Sequence, residues 1–260
     1  MENKHGYATV VDHLEEFRHR LICCITAICF LIVVTWPLSQ LLIDWIVKTL
    51  CPPDLGPLYY TAPMELFFLK LKFSAIMAIC IASPYIMYQL WSYVSPGLFR
   101  REKRMIREVC GFSFLLFLSG VAIGLFIIFP ILMRYSLSMQ TTEIKPLINV
   151  SSCLGMAAWL MLGFGICFQL PIVLIGMIRL ELIGVERLRR LRPYIVIGIF
   201  LVAAILTPPD IISQLTMGIP TWILYEISLI IGTKFTTRTR KKNHNENLTE
   251  VEEHVPLSRQ

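Results

Sequence analysis

Charge is scarce in this sequence. Asp, Glu, Lys and Arg together make up 16% of the residues, against about 25% in soluble globular domains. The eight cysteines, at positions 23, 24, 29, 51, 80, 110, 153 and 167, contain no CxxC pair and no metal-ligand spacing, so neither a small disulfide scaffold nor a zinc site is indicated. The five histidines form no HExxH or other zinc-type arrangement. There is no Walker lysine, no GxGxxG after a strand and no nucleophile elbow. These absences leave no visible catalytic, cofactor or metal site, and nothing marks a nucleic-acid partner. A secretory signal is also missing. Asp12, Glu15 and Glu16 precede the first apolar run, and no small-residue cleavage site follows a short apolar core. Nor is there an acid-poor, Arg- and Ser-rich transit peptide.

What the chain has instead is apolar bulk: 55% of its residues, with a mean hydropathy of +0.64. Disorder is incompatible with such a composition, and the chain is read as an all-α integral membrane protein. A helix needs about 20 apolar residues to cross ~30 Å of hydrocarbon. Candidate spans run over Leu21–Ile43, Phe73–Trp91, Val109–Leu132, Cys153–Ile178, Tyr194–Leu206 and Ile211–Gly232. Thr207-Pro208-Pro209-Asp210 separates the last two, because tandem prolines cannot sit in a helix interior. The expectation is therefore six transmembrane helices, the fifth and sixth short. Residues 1–20 form an amphipathic N-terminal segment, 21–232 the membrane domain, and 233–260 a polar, disordered tail.

Sorted by side, 19 of the 24 cations lie with the termini and the loops around 92–108 and 179–193. Only Lys48, Lys70, Lys72, Arg134 and Lys145 fall on the other side. Basic loops stay cytoplasmic, which places both termini in the cytoplasm. Of the cysteines, only Cys51 and Cys153 fall at outer ends, where a disulfide is allowed but not required. The Asn149-Val150-Ser151 sequon is read as chance. Gly120 and Gly124 form GxxxG, which permits close helix approach inside the bundle or against a partner.

A few carboxylates oppose the basic surroundings. In HLEEFRHRL, helical spacing puts Leu14, Phe17 and Leu21 on one face suited to the membrane surface, with Glu16 facing Arg20 at i+4. Glu16 is then either a partner for Arg20 or a receptor for an incoming guanidinium, whose fork matches a carboxylate. Glu102 has the same two readings among the cations of Arg100-Arg101-Glu102-Lys103-Arg104. Within the spans the notable polar residues are Gln169, Gln214 and Glu226, which by default face the bundle interior or a partner. Gln169 precedes Pro171 and either repairs that kink or meets a partner. Glu226 is protonated or snorkels to a cation. Asp210 suits a helix N-cap.

Taken in order, several segments resemble one family. They are HLEEFRHRL, SPYIMYQLWSYVSPGLFRREKR, Phe129-Pro130, FQLP at Phe168–Pro171, RLRRLRPYIVIGIFLVAAILTPPDIISQ, and IPTWILYE at Ile219–Glu226. The family is TatC, the multi-spanning receptor subunit of the twin-arginine protein translocase. The resemblance covers residues 13 to about 232. It implies a receptor that exports folded proteins using the proton-motive force, in the bacterial cytoplasmic membrane or, failing that, an organellar one. Carried over by motif, Glu16 and Glu102 bind the two arginines of a signal peptide, with Arg18 and Arg101 in the same region. Pro84, Tyr93 and Pro96 shape the second span and its loop. Gln169 falls where many relatives have Glu, and an amide can hydrogen-bond a partner helix but cannot form an ion pair. Single-span subunits of the TatA/TatB type are expected near Gln214 and Glu226, in a complex that also self-associates. Two other classes compete with this reading. A small-molecule permease predicts paired broken helices in the two halves, and only the break at Thr207–Asp210 is pronounced. A membrane-embedded enzyme lacks a nucleophile–base pair.

Overall fold

The structure, a computed structural model, describes residues 3–52, 58–94, 103–139, 148–179, 183–206 and 211–253. Among these residues everything regular is helix, apart from one bridge between Tyr59 and Asn149.

Helix α1, Asn3–Leu50, is a single element. The amphipathic stripe and the first apolar run share this one helix, because no proline occurs in it before Pro37. Its apolar part, Leu14–Leu50, is 37 residues long. That is about 55 Å, well beyond the hydrocarbon thickness, and the turns carrying Glu15, Glu16, Arg18 and Arg20 are the ones a bilayer excludes. Helix α2 is Glu65–Val94. The third span is composite: α3, Lys103–Ile123, a π-helical turn over Gly124–Ile128, and α4, Phe129–Ser138. The wide turn absorbs Pro130, whose ring would otherwise meet the carbonyl four residues back. Phe129 N–H reaches back to the Gly124 carbonyl in the five-residue π pattern. The fourth span is α5, Val150–Cys167, and α6, Leu170–Arg179, broken at Phe168-Gln169 before Pro171.

A short α7, Val185–Arg190, leads to α8, Arg192–Leu206, and then α9, Ile211–Glu253. Among the described residues five helices are long and apolar enough to cross a membrane, and α8 is a shorter sixth. The last two apolar stretches are indeed the two shortest. Residues Arg192–Ile205 compare with 23 residues for Ile211–Thr233, and the other four are 29 residues or longer. Helical backbone continues to Glu253, since no glycine or proline interrupts the chain between Gly232 and Pro256.

The main core gathers Phe73, Phe129, Leu154, Leu160 and Phe164, and a smaller cluster joins Leu174, Leu188, Tyr225 and Leu229. Helix α1 packs along α2 through small polar groups. Thr35 Oγ1 donates to the Ser74 carbonyl at 2.9 Å, and Ser74 Oγ to the Ile32 carbonyl at 2.7 Å. Both residues are buried, where such bonds hold helices together without a hydrophobic driving force. The outer face of α1 presents Phe30, Val33 and Leu41, as lipid contact requires.

The GxxxG motif is used inside the molecule. A Cβ on Gly120 would stand 2.5 Å from the Phe164 carbonyl oxygen, and one on Gly124 2.7 Å from that of Leu160. The two glycines let α3 and α5 touch backbone to backbone. Asn149 caps α5, its Oδ1 accepting from the Ser151 and Ser152 N–H groups at 2.8 and 3.1 Å.

Candidate functional site

The N-terminal end of α1 meets the C-terminal end of α2. On α1, Glu16, Phe17 and Arg20 share a face. On α2, Tyr85, Gln89 and Tyr93 follow each other at i, i+4 spacing, one above the next. Arg20 donates to Glu16 Oε1 from Nε at 3.1 Å and from Nη2 at 2.6 Å. Its Nη1 donates to Gln89 Oε1 at 3.1 Å and more weakly to the Gln89 carbonyl at 3.4 Å. Gln89 Nε2 in turn donates to Tyr85 Oη at 2.9 Å. The rings of Phe17 and Tyr93 lie 5.3 Å apart. Arginine 20 thus bridges a carboxylate on one helix and an amide on the other.

The Glu16 side chain retains 39% of its exposure, and its Oε2 has no partner among the described residues. A pair this exposed is worth up to about 1 kcal/mol. A second guanidinium can therefore take Oε2, or replace Arg20 altogether while Arg20 keeps Gln89. Arg18 is exposed and pairs with none of the described residues. Arg101, Glu102 and Pro96 lie outside the described residues. Gln89 and Tyr85 escaped the sequence reading. Their signal is the i, i+4 run into Tyr93, within a segment whose motif had drawn notice only at Pro84, Tyr93 and Pro96.

Pro84 lies inside α2 and deprives the Cys80 carbonyl of its N–H partner. The neighbouring Ser83 hydroxyl fills that place, donating to Cys80 O at 2.7 Å. Ser83 is buried. Ser83→Ala is expected to lower thermal stability in detergent by about 1–2 kcal/mol, the cost of an unsatisfied carbonyl.

Gln169 faces the bundle interior: its Nε2 donates to the Ser113 carbonyl of α3 at 2.9 Å. Ser113 Oγ meanwhile accepts from Trp91 Nε1 at 2.9 Å, and the Trp91 ring lies against Gly176, where a Cβ would stand 3.2 Å away. One buried serine therefore joins α2, α3 and the α5–α6 break. Because Gln169 acts as donor to a carbonyl, Gln169→Glu sets acceptor against acceptor. Its melting temperature at neutral pH is expected to fall below that of Gln169→Leu, which loses only one bond worth about 1 kcal/mol.

At the opposite flank of the bundle, Tyr225 is fully buried and its Oη donates to the Leu188 carbonyl at 2.9 Å, tying α7 to α9. Glu226 Oε2 accepts from Arg192 Nη2 at 2.5 Å, so its cation comes from the first residue of α8. Its other oxygen, Oε1, is buried without a partner among the described residues. Gln214 Nε2 donates to the Phe200 carbonyl at 2.9 Å, closing α8 onto α9. Asp210 lies outside the described residues. No group of three or more His, Cys, Asp or Glu side chains among the described residues is placed to hold a metal ion.

The family model for the Sec-independent protein translocase protein TatC matches residues 12–220. The chain belongs to the TatC family. It is 34% identical to the TatC of Desulforapulum autotrophicum over 88% of this chain and 86% of that one. It is 32% identical to the TatC of Haemophilus influenzae over 89% and 91%. A crystal structure of the twin-arginine translocase receptor TatC in DDM superposes with a TM-score of 0.79 at 31% identity, covering 85% of this chain and 99% of that one. TatC is a family of membrane-embedded protein translocases and not of enzymes, which removes the membrane-enzyme reading and the permease with it.

Proposed function

We propose that this TatC-family protein is the receptor of a twin-arginine translocase, with the α1–α2 mouth as part of its signal-peptide site. The carrying observation is Glu16: a half-exposed carboxylate with one oxygen open, held at the junction by Arg20 and Gln89. Glu102 supplies the second carboxylate, with Arg18 and Arg101 alongside and Tyr93 and Pro96 shaping the approach. Both termini are cytoplasmic, in keeping with the 19 cations on their side, and the membrane is the bacterial inner membrane. Single-span TatA/TatB-type subunits dock on the α8–α9 flank near Gln214, Glu226 and Asp210. The complex self-associates and moves folded precursors using the proton-motive force.

The test is equilibrium binding of a fluorescent signal peptide to the full chain in nanodiscs. A peptide with paired arginines is expected to bind about tenfold or more tightly than its paired-lysine version, because only a guanidinium engages a carboxylate with two parallel bonds. Equal affinities would remove the proposal.

A further inference from the structure

The short helix α7 joins the fourth span to the fifth, so it sits at one end of the bundle, at the membrane surface. Its sequence, VERLRR, buries Val185 and Leu188 at i, i+3 spacing, in the cluster that also holds Leu174 and Leu229. Tyr225 Oη fixes the same turn through the Leu188 carbonyl at 2.9 Å. With both apolar positions turned inward, Arg187, Arg189 and Arg190 are left exposed, and none of them pairs with another described residue. Glu186 is the one carboxylate on this helix and leaves it a net charge of +2. The neighbouring cation, Arg192, is already engaged by Glu226. Helix α8 continues from this patch with Tyr194, Ile197, Leu201 and Ile205 exposed at three- and four-residue spacing, along one face of the helix. An aromatic ring at the surface end of such a stripe marks the headgroup level. The helix is 15 residues long, about 22 Å, short of the ~30 Å hydrocarbon layer. A span this short thins the bilayer around it and brings lipid phosphates toward α7.

We propose that Arg187, Arg189 and Arg190 bind the phosphate of an anionic phospholipid whose acyl chains lie along the exposed stripe of α8. A guanidinium matches phosphate oxygens bidentately, and Arg187 and Arg190, three positions apart, share one side of α7. The packing of Val185 and Leu188 and the Tyr225 bond fix α7 against the bundle, so the cations are preset at the head of the stripe. A headgroup of net negative charge, such as phosphatidylglycerol, is selected over phosphatidylcholine, whose own cation cancels the charge of its phosphate. The site depends neither on the signal-peptide reading nor on which end of the bundle faces the cytoplasm.

The full chain is placed in nanodiscs of equal parts phosphatidylcholine and phosphatidylglycerol and released in a mass spectrometer, where the lipids that stay bound are identified. Retained phosphatidylglycerol is expected to exceed phosphatidylcholine by at least about fivefold, the preference that one arginine at an anionic surface supplies. The combined Arg187→Gln, Arg189→Gln and Arg190→Gln variant is expected to lose that excess. A control with Arg238→Gln, Arg240→Gln and Lys241→Gln removes the same charge from the far part of α9 and is expected to keep it. Parity in the parent, an undiminished excess in the first variant, or an equal loss in the control would each overturn the site. In a second arm, a photoreactive side chain replaces Tyr194 in the otherwise unaltered chain, in the same nanodiscs. Adducts are expected with phosphatidylglycerol in excess over phosphatidylcholine. Equal adducts with both lipids, or adducts with a second copy of the chain in place of lipid, would overturn the assigned occupant.

Discussion

Gly120→Val is expected to abolish accumulation of folded protein. The added Cβ alone would stand 2.5 Å from the Phe164 carbonyl oxygen and 2.9 Å from its carbonyl carbon. Those atoms are helix backbone, so relief requires α5 to move as a body, and with it Leu160 and Phe164 at the centre of the core. Overpacking ordinarily costs about 1–3 kcal/mol, occasionally more. Against an immovable partner, about 3 kcal/mol or more is expected. Gly111→Ala is the matched control. It meets nothing within 4 Å and gains up to about 1 kcal/mol of helix propensity. Size-exclusion profiles and thermal unfolding in detergent separate the two. A Gly120→Val protein that eluted and melted like the parent would mean that α3 and α5 are not in backbone contact.

The second large effect concerns recognition. Glu16→Gln keeps the side chain's size and removes its charge, so affinity for a paired-arginine peptide is expected to fall by about 10- to 100-fold. This corresponds to the loss of a charge-assisted bond worth about 1.5–3 kcal/mol. Arg20→Gln should act in the opposite direction. It removes the intramolecular competitor for the carboxylate, and binding is expected to tighten by up to about fivefold, matching the worth of an exposed pair. Opposite signs at two residues in direct contact distinguish a ligand site from mere destabilisation of the α1–α2 junction, which would weaken binding in both variants.

The parts of the fold readable from sequence were those that depend on neighbours along the chain. Apolar runs located the membrane helices, and the tandem prolines separated α8 from α9. The Glu16–Arg20 pair follows from helical spacing alone. Contacts between distant segments were not readable. GxxxG announced a close approach but not that Phe164 and Leu160 would be met. Gln169 showed that an intramembrane amide needs a partner, while the identity of that partner, a carbonyl on α3, depends on how α5 bends before Pro171. Arg192 and Glu226 are 34 positions apart, so their pairing waits on the packing of α8 against α9. Charged residues at the start of α1 end its contact with hydrocarbon and leave the helix itself intact.

Photocrosslinking from position 18 shows whether the α1–α2 mouth receives the arginine pair. Arg18 is exposed and two residues from Glu16, so a photoreactive side chain there reports occupancy without replacing the carboxylate. With a twin-arginine precursor in native membranes, an adduct is expected that maps to the signal peptide beside its arginines. It should be lost when those arginines become lysines and when Glu16 becomes Gln. An adduct of equal yield with the twin-lysine precursor would contradict the account.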